Sequence, residues 1–190
     1  GITVGLGGGS VSTNTAVGAS ALYNNTTAGA VTAVGYQAGY SNTTGSQNVA
    51  IGYQSLYSNV VHTSNTAVGF QAGYKNTNSG GVTAIGYQAG YNNTTGSVDA
   101  FGYQALYNNS TGANNVAMGL YSALSNTTGS NNVAIGTQAL QSNTTASNNT
   151  AVGYQAGYSF STNGGNIALG YQAAYYATGA NMIALGYQAG

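Results

Sequence analysis

The sequence runs to 190 residues with one basic residue, one acidic residue and one His, no Cys, Pro or Trp, but 31 Gly and 17 Tyr. A formal net charge of zero leaves no basic stripe to neutralise phosphates, so neither nucleic-acid binding nor docking on an anionic membrane is expected. Disorder calls for high net charge and few aromatic residues, and a spanning helix for about 18 consecutive apolar residues, so a folded chain without membrane insertion is expected.

The chain opens on a glycine-rich stretch, Gly5-Leu6-Gly7-Gly8-Gly9-Ser10. It lacks the Lys and the helix start of a phosphate-binding loop, so residues 1–14 read as an irregular first coil or a flexible lead-in. Residues 15–190 read as one continuous repeat array, a fragment of a longer fibre.

The array is marked by anchor glycines at Gly18, Gly35, Gly52, Gly69, Gly86, Gly102, Gly119, Gly136, Gly153, Gly170 and Gly186, with Gly5 an earlier mark. After Gly18 every interval is 17 residues except two of 16, at Gly86 to Gly102 and Gly170 to Gly186. A representative unit is Thr32-Ala33-Val34-Gly35-Tyr36-Gln37-Ala38-Gly39-Tyr40 followed by Ser41-Asn42-Thr43-Thr44-Gly45-Ser46-Gln47-Asn48. The first half is rich in strand-favouring Val, Ile, Thr and Tyr, and the second in turn-favouring Asn, Thr, Gly and Ser. Alternation places Thr66, Val68 and Phe70 on one face and Ala67, Gly69 and Gln71 on the other. Mid-segment glycines and β-branched residues oppose helix.

One short strand per unit, joined by turns, predicts an all-β fold, a parallel β-solenoid or β-roll of about twelve coils. At about 4.8 Å per coil the rod is ~55 Å long. Val and Ile are expected to fill its interior. The small face carrying Ala33, Ala50 and Ala67 is expected to pack against another copy, because so thin a coil buries little apolar surface alone. The absence of Pro and the low charge both suit coils stacked in register, where Pro would remove a ladder bond and like charges would repel.

Three features invite a functional reading. Tyr36, Tyr53, Tyr87, Tyr103, Tyr154 and Tyr171, each one residue after an anchor, form an outward ladder, either stacking within the rod or offering aromatic faces to sugars. Asn42, Asn126 and Asn143 open N-glycosylation sequons in turns where a glycan could project. The singular residues His62, Lys75 and Asp99 share no motif, so no catalytic, cofactor-binding or metal-binding residue is assigned and no enzyme activity is expected. Irregular spots at Leu120-Tyr121-Ser122, Thr137-Gln138, Gln141 and Phe160-Ser161 suit a shaft better than a uniform receptor-binding array.

The segments Asn48-Val49-Ala50-Ile51-Gly52 and Asn132-Val133-Ala134-Ile135-Gly136 resemble the short repeat of trimeric autotransporter adhesin heads. The longer Asn65-Thr66-Ala67-Val68-Gly69-Phe70-Gln71-Ala72-Gly73-Tyr74 looks like repeats of phage tail-fibre and related bacterial surface proteins. The resemblance covers the chain from about Thr15 and implies a homotrimeric, left-handed parallel β-roll outside a cell or on a virion. A structural fibre or shaft is the leading expectation. The alternatives are a surface that binds host glycans through its Tyr, Asn and Thr columns, an end-to-end filament, and an ice-binding solenoid.

Overall fold

The computed structural model describes residues 4–190 and is all-β, with one three- or four-residue strand per repeat. After β1 (Val4–Gly5) come β2 (Thr15–Val17), β3 (Thr32–Val34), β4 (Val49–Ile51), β5 (Thr66–Val68), β6 (Thr83–Ile85) and β7 (Val98–Phe101). The remainder are β8 (Asn115–Met118), β9 (Val133–Ile135), β10 (Thr150–Val152), β11 (Ile167–Leu169) and β12 (Ile183–Leu185). They form one sheet in sequence order, and β2 to β12 are parallel throughout. This is the parallel β-solenoid that the 17-residue period predicts.

The count of coils needs a correction. Gly5 does not mark a first coil, because β1 pairs antiparallel with β2, Val4 opposite Val17. The segment then crosses the end of the stack, the Gly8 amide donating to the Leu22 carbonyl and Asn25 Nδ2 to the Gly8 carbonyl. Eleven parallel strands remain, β2 to β12. Residues 1–3 of the expected lead-in lie outside the described residues.

The interior also differs from expectation. The central strand residues Ala33, Ala50, Ala67, Ala84, Ala100, Ala117, Ala134, Ala151 and Ala168 are buried, while their neighbours Ile51, Ile85, Met118, Val152 and Leu169 are exposed. The small face is therefore the core, and the bulky face points outward. The reason is the width of the coil. A Cβ built on Gly73, across the interior, would lie 3.7 Å from the Ala67 Cβ and 3.9 Å from the Ala84 Cβ. At the level of the central Ala the space is one methyl group thick and has no room for Val or Ile, while Val31, Val82 and Val98, each two residues before a central Ala, are buried in the wider part of the coil.

The same narrowness explains why each Leu at this turn position is followed one coil on by Gly or Ala. Leu22, Leu56, Leu106 and Leu140 are fully buried, and each of three reaches over the glycine of the following coil. A Cβ on Gly39, Gly73 or Gly157 would lie 2.9, 3.0 or 3.0 Å from the Cδ2 of Leu22, Leu56 or Leu140.

Inter-coil hydrogen bonds continue beyond the strands. Gln37 donates its amide to Ala19 in the preceding coil, and Gly39 donates to Ser55 in the following one. Alternating bonds of this kind require backbone in the left-handed region, and Gln37, Gln54, Gln71, Gln88 and Gln104 all take φ between 51° and 53°. The 16-residue intervals are absorbed in turns, because Ala84 still pairs with Ala100 and Ala168 with Ala184.

The anchor glycines fix coil spacing. Gly69 has φ 137°, and a Cβ there would stand 2.3 Å from the carbonyl oxygen of Gly86. Gly69→Ala is expected to lower stability by about 2–5 kcal/mol, combining backbone strain with a clash against immobile backbone. Gly81, also at positive φ but with nothing within 4 Å of a built Cβ, is the control, expected to lose about 1–2 kcal/mol as Ala. Urea midpoints of the two variants test the difference.

Candidate functional site

No single cleft dominates the molecule; its organised chemistry lies in columns of like residues running along the rod. The first column is interior. Asn25, Asn42, Asn59, Asn76, Asn93, Asn109, Asn126 and Asn143 are all buried. Asn126 Nδ2 donates to Asn109 Oδ1 at 2.7 Å and to the Gly129 carbonyl at 2.9 Å, and Asn143 Nδ2 donates to Asn126 Oδ1 at 2.7 Å. A carboxamide carries donor and acceptor on one planar group, so a copy translated by one coil satisfies it.

A second interior column precedes the strands. The Oδ1 of Asn48 accepts the amide of Asn65, and that of Asn65 accepts the amide of Val82. Here the bond runs to backbone, so Val can occupy the next coil without breaking it. In the first column the bond runs between side chains, and a changed neighbour leaves an orphan: Phe160 follows Asn143, whose Oδ1 has no partner. The Oδ1 atoms of Asn59 and Asn76 are also unpartnered: Asn76 Nδ2 and Asn93 Nδ2 donate to the Ser79 and Gly96 carbonyls but not to the preceding Asn.

This burial overturns the expectation of glycans at Asn42, Asn126 and Asn143. Their Nδ2 atoms are committed to hydrogen bonds inside the coil, and each side chain is buried. A sugar on any of them is incompatible with the stack.

The outer columns begin with tyrosine. Tyr36, Tyr53, Tyr87, Tyr103, Tyr154 and Tyr171 are exposed, as is Phe70 in the same column. Ring centroids from Tyr36 to Tyr103 are spaced 4.8 to 5.3 Å with planes within 20° of parallel. A second ladder, not singled out from the sequence, runs through Tyr23, Tyr40, Tyr57, Tyr74, Tyr91 and Tyr107 at 5.1 to 5.4 Å. Its signal was present as the tyrosine five residues after successive anchors. Both ladders stop at the same coils, where Leu120 and Thr137 replace one set and Leu124 and Gln141 the other, and both resume at Tyr154 and Tyr158.

Between the ladders runs a glutamine column, Gln54 Nε2 donating to Gln37 Oε1 at 2.8 Å and so on to Gln104, interrupted by Tyr121. On the turn side, the hydroxyls of Thr26, Thr43, Thr127 and Thr144 donate to carbonyls one coil on. Stacking turns ring faces toward one another, so inside a ladder it is ring edges and phenol hydroxyls that meet solvent. That geometry is poor for the face-on sugar stacking expected of these tyrosines.

Among the described residues no three metal-ligating side chains cluster, and no helix is long and apolar enough to cross a membrane. The anchor glycines lie one above another as a backbone seam. His62, Lys75 and Asp99 are not brought together: Lys75 stands over the Tyr91 ring, 5.7 Å from its centroid, and Asp99 lies on the strand face between Thr83 and Val116. The fold and its columns define a tandem-repeat parallel β-solenoid. No family model, curated protein or solved structure matches the chain.

Two outcomes follow for the columns. Replacing Asn126 by Ala leaves Asn109 Oδ1 without its donor and Asn143 Nδ2 without one of its acceptors and is expected to cost about 2–4 kcal/mol, whereas exposed Thr128→Ala should stay within about 0.5 kcal/mol in the same denaturation experiment. The Tyr91 phenol is pushed above its ordinary pKa, first by desolvation and then by Tyr74 and Tyr107; Tyr103 and Tyr175 shift the same way. A raised phenol favours the folded state while protonated, so this stabilisation is present below the unfolded value of about 10 and is lost as pH rises through the folded value. Phenolate absorbance should lag that of free tyrosine, and thermal stability should fall above about pH 10.

Proposed function

We propose that the chain is a structural shaft segment of an extracellular or virion appendage, a stiff spacer that works as a bundle of parallel copies and holds an attachment tip away from its base. The observation that carries this reading is the outward apolar face of the sheet. One column of it is apolar along the rod, running through Ile51, Ile85, Val152 and Leu169; the other mixes Val49, Val116, Val133 and Ile167 with Thr32, Thr66, Thr83 and Thr150, and both stand beside the outer tyrosine ladder.

At about 4.8 Å per coil and ~13 Å across, the face covers on the order of 650 Å². With its threonines included, that approaches the ~800 Å² each partner contributes to a stable interface. A second copy is the occupant that suits it, because the face is long, straight and periodic, as another rod would be. The homotrimer and left-handed coil implied by the resemblance are carried forward as parts of this proposal. The ladders favour stiffness over the coils they span, since bending the rod there would stretch hydrogen bonds and stacked rings on one side together.

The alternatives draw less support. Ladder stacking hides the ring faces that a glycan would use, and β1 covers the first coil with an antiparallel strand, which hinders parallel growth of a filament at that end. The inward-bonded threonine hydroxyls leave one fewer column for ordering ice.

Light scattering should give a mass near three chains. Val68→Lys, which puts an ammonium in the middle of the apolar face while leaving the buried columns intact, should shift that mass to one chain with the β spectrum kept. A wild-type mass of one chain at all concentrations would sink the bundle.

A further inference from the structure

Side-by-side association of near-identical coils poses a register problem. Sliding one rod by a single coil, about 4.8 Å, re-forms almost every contact, so alignment must be set by residues that occur once. The chain has one basic and one acidic residue, and each is placed where such a device would have to act.

Asp99 lies within the apolar face, in the column between Thr83 and Val116. Covering this face removes the carboxylate from water, which is strongly unfavourable unless a counter-charge comes with the covering surface. The counter-charges are limited to Lys75 and, when protonated, His62. Lys75 is exposed on the tyrosine flank, a different side of the coil from Asp99, and its Nζ stands over Tyr91, which belongs to the next coil in the direction of Asp99.

The two residues stand at different heights along the rod, within the reach of a long lysine side chain. Lys75 follows Gly69 by six residues and Asp99 precedes Gly102 by three, which separates them by about one and a half coils, or ~7 Å along the axis. The lean over Tyr91 closes part of that gap. His62 is ~11 Å from the level of Asp99 on the same arithmetic.

Resting on the association proposed above, we infer that Asp99 of one copy pairs with Lys75 of its neighbour, and that this pair locks parallel copies in register. The two groups lie on different faces, so the contact is heterologous and closes as a ring of parallel copies. A single buried polar pair specifying alignment in an otherwise uniform interface is the best-attested use of such groups.

Charge reversal tests it. Both side chains lie outside the coil, so Asp99→Lys, Lys75→Asp and the double exchange should keep the wild-type circular dichroism. Each single reversal is expected to raise the dissociation constant of the assembly by about tenfold or more, and the exchange to restore it to within about threefold. The milder Asp99→Asn should remove most of the salt dependence of assembly. Single reversals without effect, or an exchange as weak as the two singles multiplied, would overturn the pairing while leaving the bundle standing. A monomeric wild type would overturn both.

Discussion

The structure depends on a buried asparagine meeting the same residue one coil away. An amide in an apolar interior is costly unless both its donor and its acceptor are matched. The column meets that demand by translation from Asn25 to Asn59 and again from Asn93 to Asn143, Nδ2 of Asn109 reaching Oδ1 of Asn93 and Nδ2 of Asn126 reaching Oδ1 of Asn109. Translation works only if every coil has the same circumference, which is why the repeat length varies so little. Where the column changes, at Phe160, the preceding oxygen is left without a partner.

A coil narrow enough for those bonds is too narrow for a conventional core. Its apolar filling is Ala from the strand, Ala and Leu from the turn, the valines Val31, Val82 and Val98, and Phe160. Apart from Val98, the larger residues Val, Ile, Met and Leu of the strands are turned outward, and the same constraint that builds the rod therefore gives it an apolar outer column. The buried columns and the outward strand face follow from one dimension, the width of the interior.

The near absence of charge belongs to the same logic. A repeated charge would stack about 4.8 Å from its copies and repel them, whereas Asn, Gln, Thr and Tyr each interact favourably with a translated self. The columns show this directly, in glutamine bonds near 3 Å and tyrosine rings near 5 Å. Lys75 and Asp99 escape the rule because each occurs once.

Much of the architecture was legible in the sequence. The anchor glycines gave the period, the Thr-Ala-Val type triplets gave the strands, and constant spacing gave their parallel register, because these are local or periodic properties of the chain. Two matters were not legible. Alternation in Thr66-Ala67-Val68 separates two faces without saying which is inside, since Ala and Val are both apolar. Asn42, Asn126 and Asn143 carry the composition of a solvated turn, yet closure of the coil turns them inward. Only the tertiary structure decides both, because the deciding quantity is the distance across the coil, one methyl group at Ala67 and one carboxamide at Asn126, and that distance is set by residues far apart in the repeat closing on one another.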